Sequence, residues 1–162
     1  RRAIENPNDY EARATLMLAG SVSHNDYTSC GRGRRFPVHK LEHELSAFRD
    51  QIAHGAGLSV LFPAWAMYEM KNDIPRFAQL ANRVFGVEMD FACPERTARE
   101  GILTIKRFFE EIGMPVHLSQ LGIKSADYDT LADNTMRTVK GPVKSYTPLD
   151  KDAILAIYRL AE

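Results

Sequence analysis

Apolar residues recur at helical spacing along nearly every periodic segment of this chain, and no run of alternating or β-branched residues stands between hairpin turns. That pattern predicts an all-α fold. A first helix is expected from a cap at Asn8, with Glu11 as its capping-box partner, through Ala12, Leu16 and Ala19 toward His24. A loop containing Cys30-Gly31-Arg32-Gly33-Arg34-Arg35 leads to Pro37, which suits the first turn of a second helix. From Gly55 to Met70 the chain is apolar on almost every side, which predicts a helix surrounded by others, kinked or locally broken at Pro63. Phe77, Leu80, Ala81 and Val84 form a stripe behind Pro75 and ahead of Gly86, where that helix is expected to stop. Another helix is expected from Pro94, with Ala98, Ile102, Ile105, Phe109 and Ile112 on one face, closed by Gly113 and Pro115. Ser125 is placed to cap a shorter helix through Met136. Thr147-Pro148 or Asp150 begins a last one, with Ile154, Ile157, Tyr158 and Ala161 on its buried face. Six or seven helices without a linker or repeat predict one multi-helix bundle over residues 1–162. Val139 to Tyr146 stays unassigned.

Composition narrows the function. Lys plus Arg and Asp plus Glu both total 21, so the chain carries no net positive charge to attract nucleic acid. Ala56 to Tyr68, its most apolar stretch, is shorter than a membrane span, and no signal peptide is visible. The two cysteines, Cys30 and Cys93, belong to no CxxC pair; they read as packing residues in a reducing, cytoplasmic protein. A start at Arg1 rather than Met fits processing or a tag scar, and equally the back part of a longer polypeptide.

Chemistry concentrates in Val38-His39-Lys40-Leu41-Glu42-His43-Glu44-Leu45 and in Ile52-Ala53-His54-Gly55. On a helix His39 and His43 stand one turn apart on the same face. The helix from His39 to Phe48 climbs about 14 Å, and the extended residues after it return about 17–20 Å, enough to bring His54 beside His39. A helical hairpin therefore accommodates a three-histidine cluster, and Gly55-Ala56-Gly57 permits close backbone approach behind it. His24 and His117 carry no spacing argument and are assigned ordinary roles. Arg32, Arg34 and Arg35 suit a solvated turn better than a phosphate site, since the Gly-x-Gly pattern lacks the rest of a nucleotide fingerprint. His39-Lys40-Leu41-Glu42-His43 also fits H-x-x-E-H, the inverted zinc-peptidase pattern, in which both histidines bind zinc and Glu42 is the general base. A third, acidic ligand for that chemistry is nominated only arbitrarily among Glu69, Glu110 and Glu111. A helical binding module that has lost catalysis is the non-enzymatic alternative.

Several blocks in order carry a wider resemblance: Asn8-Asp9-Tyr10-Glu11-Ala12-Arg13-Ala14, His39-Lys40-Leu41-Glu42-His43-Glu44-Leu45-Ser46-Ala47, His54-Gly55-Ala56-Gly57-Leu58, Phe62-Pro63-Ala64-Trp65, and Pro148-Leu149-Asp150-Lys151 with Ile157-Tyr158. On these the chain resembles the C-terminal helical half of the iron-containing alcohol dehydrogenases, in particular their butanol-dehydrogenase-like branch. The resemblance implies the helical C-terminal domain of the dehydroquinate synthase-like fold. It also implies hydride transfer between a small alcohol or aldehyde and NAD(P), which an N-terminal domain outside these residues would mainly bind. One Fe(2+), or Zn(2+), is implied, held by one Asp and three His. By motif match His39 and His54 are the second and third histidine ligands, the Asp and first His lying on a preceding helix. His43 matches a histidine facing the active-site cleft that orients substrate or relays a proton, and Glu42 becomes structural. Homodimers are frequent in the family. Two departures stand out. His39 and His54 are 15 residues apart, one more than the family pattern usually has, and Arg34-Arg35-Phe36-Pro37 replaces the small-and-Trp pattern usual before the first histidine. With no dinucleotide-binding strand-turn-helix, the isolated chain is expected to be inactive.

Overall fold

Prolines open three of the helices and left-handed residues close two of them. A computed structural model describes residues 1–31, 33 and 35–162, and among them eight α-helices are formed: α1 (Arg2–Glu5), α2 (Tyr10–His24), α3 (Pro37–Phe48), α4 (His54–Glu69), α5 (Ile74–Phe85), α6 (Pro94–Glu111), α7 (Tyr128–Val139) and α8 (Lys151–Leu160). Pro37, Pro75 and Pro94 occupy first-turn positions, where a missing N–H costs no hydrogen bond. Gly86 closes α5 at φ 67°, a left-handed conformation that glycine adopts without a Cβ clash. The all-α expectation holds, with one short helix more than counted.

The chain divides into two compact units, residues 1–35 and 36–162. In the first, α2 buries none of its residues, and Leu16, Met17 and Leu18 are all exposed. Its cap is Asp9 rather than Asn8: the Asp9 carboxylate accepts the Ala12 amide at 3.0 Å while pairing with Arg2 at 2.8 Å. An anionic cap at a positive helix end outcompetes a neutral neighbour. Cys30 is exposed rather than packed, its thiol 3.6 Å from the Asp26 carbonyl. Arg32 and Arg34 of the basic loop lie outside the described residues; Arg35 is exposed.

In the second unit α4 is the hub, packing against α3, α6 and α8, while α7 joins α3 to α8 and α5 lies along α6. Leu41 and Leu45 of α3, Val60 and Leu61 of α4, Leu131 of α7 and Ile154 and Ile157 of α8 meet in the main core. A smaller cluster gathers Ala66, Met70, Phe77, Ala78, Ala98 and Ile102. Of the kink or break expected at Pro63, the break does not form: α4 runs through the proline, and Val60, Leu61, Ala64 and Ala66 around it are all buried. Two long-range bonds fix α4 further. Ser59 Oγ stands 2.7 Å from the Pro115 carbonyl, and Trp65 Nε1 donates to Ser145 Oγ at 3.0 Å. The unassigned stretch near Val139–Tyr146 holds a two-residue antiparallel pairing of Val143 with Leu149, both bonds 2.9 Å. Ser125 begins a single 3-10 turn rather than capping α7 directly, and Asp150 is the cap of α8, accepting the Ala153 amide at 2.9 Å. Val84, counted on the α5 stripe, is 63% exposed. No described helix is long and apolar enough to cross a membrane.

Candidate metal centre

The hairpin of α3 and α4 creates the site. His39 and His43 sit one turn apart on α3, and His54 is the first residue of α4, delivered by the Arg49–Ala53 connection. The three imidazoles converge as the spacing argument requires. Ring centroids of His39 and His54 are 5.1 Å apart, those of His43 and His54 5.5 Å, and those of His39 and His43 6.4 Å with nearly perpendicular planes. Phe36 packs edge-on against His39 at 5.0 Å. His39 is half-buried, whereas His43 and His54 are exposed, so the cluster opens outward and an ion or small molecule can reach it. The other two histidines stand apart from it: His24 is exposed on the first unit, and His117 Nδ1 lies 2.5 Å from the Glu162 carbonyl.

Beneath the rings lies Glu42, fully buried at 0% exposure. Its Oε2 is hydrogen-bonded to His54 Nδ1, and Ser46 Oγ approaches Oε1 at 2.6 Å. Gly57, one turn into α4, faces that carboxylate directly; a methyl there would fall 2.5 Å from Glu42 Cγ and 2.7 Å from Oε1. The small-residue run after His54 therefore does admit a close approach, and what approaches is the α3 carboxylate. In the sequence Glu42 reads as a peptidase base or as structural, not as a partner of His54. The Glu42–Ser46 spacing of one helical turn was its available signal.

The donor set suits a divalent transition metal. Neutral imidazoles bind iron(II) and zinc(II), and with Nδ1 of His54 engaged, its Nε2 remains to coordinate. Among the described residues, the group of three whose donor atoms lie within 4.8 Å of one another is Glu42, His43 and His54; His39 lies outside that group and is brought near it by its ring, 5.1 Å from that of His54. The peptidase assignment fits poorly. A general base must reach a bound water, and Glu42 is sealed beneath His54 with both oxygens facing donors. Glu69, one nominee for the acidic ligand, is fully buried at the far end of α4, about 22 Å along the helix from His54.

Relatives agree with the architecture. The chain is 35% identical over 158 residues to NADH-dependent butanol dehydrogenase A of Clostridium acetobutylicum, covering 97% of this chain and 40% of that protein. It is 33% identical to the probable NADH-dependent butanol dehydrogenase 1 of Bacillus subtilis, covering 98% and 40%. The crystal structure of NADH-dependent butanol dehydrogenase A from Thermotoga maritima superposes with a TM-score of 0.93 at 35% identity, covering 99% of this chain and 41% of that one. The chain thus spans about two fifths of the length of the curated relatives it matches. Residues 1–161 match the family described as Fe-containing alcohol dehydrogenase, C-terminal, and the chain belongs to that family.

Proposed function

We propose that this chain forms the metal- and substrate-binding part of an NAD(P)-dependent alcohol dehydrogenase interconverting small alcohols and aldehydes. One observation carries the reading: in a chain of this family, the α3–α4 hairpin brings three imidazoles to within 5.1–6.4 Å of one another on an open face. His39 and His54 are the proposed ligands to Fe(2+) or Zn(2+), completed by an Asp and a His from a helix outside these residues. When bound, the ion supplies a Lewis acid for the carbonyl or alkoxide oxygen. His43, exposed and 5.5 Å from His54 by ring centroid, is positioned to orient the substrate hydroxyl and to hold or pass its proton at an imidazole nitrogen. Phe36 borders the site on the His39 side. NAD(P) falls to a separate α/β domain, since no strand-turn-helix unit occurs among the described residues. The proposed setting is cytoplasmic, and the family resemblance makes a homodimer one assembly to test.

Anaerobic titration of iron(II) and zinc(II) into the purified chain and into His39→Ala, His43→Ala and His54→Ala tests the assignment by calorimetry. Weak one-to-one binding lost in His39→Ala and His54→Ala, but kept in His43→Ala, is the expected result. Binding that survives His39→Ala and disappears in His43→Ala would transfer the ion to the Glu42, His43 and His54 group. NAD(P)H-dependent butanal reduction by the chain alone is expected to be absent.

A further inference from the structure

Glu42 is an expensive residue to bury. A carboxylate removed from water costs several kcal/mol unless donors replace its hydration, yet this one is 0% exposed inside the seam between α3 and α4. Both oxygens face donors, Oε2 the His54 ring and Oε1 the Ser46 hydroxyl. That hydroxyl has a single proton, and its other neighbour, the Ile52 carbonyl, is farther at 3.2 Å. The proton therefore belongs to the carboxylate. Space for this arrangement exists only because position 57 is glycine, since any Cβ would overlap the Glu42 side chain. Three positions on two helices thus serve one contact, and that contact ends on an imidazole whose side chain is 48% exposed.

We infer that Glu42 is a positioning residue for His54: supported by Ser46 and admitted by Gly57, it fixes the Nδ1–H tautomer and the ring plane, so that Nε2 is the nitrogen presented at the site. A carboxylate only accepts, so Nδ1 must donate, and the lone pair is left on Nε2. Histidine ligands are commonly held this way by a buried acceptor, which orients the ring and raises its basicity toward the ion. The inference rests on the reading of His54 as a metal ligand. It differs from direct ligation by Glu42, which the burial of both oxygens under the His54 and Ser46 contacts opposes.

The first measurement needs neither variant nor metal. Long-range 15N–1H correlation on the imidazole-labelled chain at about pH 8, above the ordinary imidazole range, should show His54 as the Nδ1–H tautomer. An Nε2–H tautomer there overturns the inference. Glu42→Gln should then lose that tautomer preference and weaken zinc(II) binding by about 10- to 100-fold at unchanged one-to-one stoichiometry. A Glu42→Gln chain with the original tautomer and the original zinc(II) affinity also overturns it, as does X-ray absorption of the zinc-loaded chain showing an oxygen ligand that disappears in Glu42→Gln. The parent reading fails separately. If His54→Ala binds zinc(II) as tightly as the unaltered chain while the His54 tautomer is Nδ1–H, His54 is not a ligand, and the fixed tautomer still supports its orientation by Glu42.

Discussion

Two glycines in the first turn of α4 should respond oppositely to the same methyl group. At Gly55 an added Cβ meets only the terminal methyl of Met114 at 3.9 Å, ordinary contact with a flexible side chain. At Gly57 it meets Glu42 Cγ at 2.5 Å, Oε1 at 2.7 Å and Cδ at 3.0 Å. Glu42 has nowhere to retreat, being fully buried between helices. Forced overlap in a packed interior costs about 1–3 kcal/mol, and displacing the carboxylate from its bond to His54 adds about 1.5–3 kcal/mol. Replacing a helical glycine by alanine returns about 0.5–1 kcal/mol at either position. Gly57→Ala should therefore lose about 2–5 kcal/mol, and Gly55→Ala should be neutral or gain up to about 1 kcal/mol. The variants then differ by about 2–6 kcal/mol, which in a chain of this size separates their melting temperatures by about 5–20 °C. Urea unfolding followed by circular dichroism gives the comparison directly, provided the slope is common to both variants. Equal midpoints for Gly55→Ala and Gly57→Ala would refute the claim that the α3–α4 seam closes on Glu42 through position 57.

The same logic applies where α5 meets α6, because a Cβ at Gly101 would overlap the Ala81 methyl and lie 2.8 Å from its Cα, part of a backbone that cannot swing aside. Gly101→Ala is expected to lower stability by about 1–2 kcal/mol after its helix-propensity gain, read from the urea midpoint. Asp9 gives a prediction in pH: the Ala12 amide first, and the Arg2 guanidinium second, hold its carboxyl below the ordinary 3.8. Its folded value lies below its unfolded one, so its contribution is present above pH 3.8 and is lost as pH falls through the lowered value. Asp9→Asn keeps the capping ability and removes the charge. Carbonyl-detected NMR should place the Asp9 midpoint below 3.8, and the difference in α2 helicity between the chain and Asp9→Asn should vanish in that acid window.

Local chemistry made most of the second unit readable. Pro37, Pro75 and Pro94 marked helix starts and Gly86 a stop, because each restricts or frees the backbone by itself. Local chemistry is insufficient where a distant partner decides. Asp9 displaced Asn8 as the cap of α2 because Arg2, seven residues earlier, pairs with it. At Pro63 no local break formed, in a helix whose flanking residues are buried. The imidazole cluster was legible as reach, since a hairpin of this length can return His54 to His39, and the family resemblance named the same residues. Glu42 was not legible in that way. Its partner on α4 lies 12 residues on, and only the close seam at Gly57 turns an ordinary helical glutamate into a buried acceptor.

That burial predicts a conflict between stability and the site. Replacing a buried polar pair with apolar atoms of similar volume is often neutral or favourable, whereas leaving one member unpartnered in the interior is costly. Here the members are unequally exposed: Glu42 is sealed, but the His54 side chain is 48% exposed and can turn to water. Ser46, released from the carboxylate, still has the Ile52 carbonyl at 3.2 Å. Glu42→Met should consequently fold as stably as the unaltered chain, or up to about 2 kcal/mol more so, a gain expected where a functional residue is held against the preference of the core. Its zinc(II) affinity should fall by about 10- to 100-fold, because nothing then selects the ring orientation of His54. Paired urea unfolding and calorimetry separate the two effects. A Glu42→Met chain that loses more than about 2 kcal/mol while still binding zinc(II) normally would make Glu42 a structural residue of the seam and nothing more.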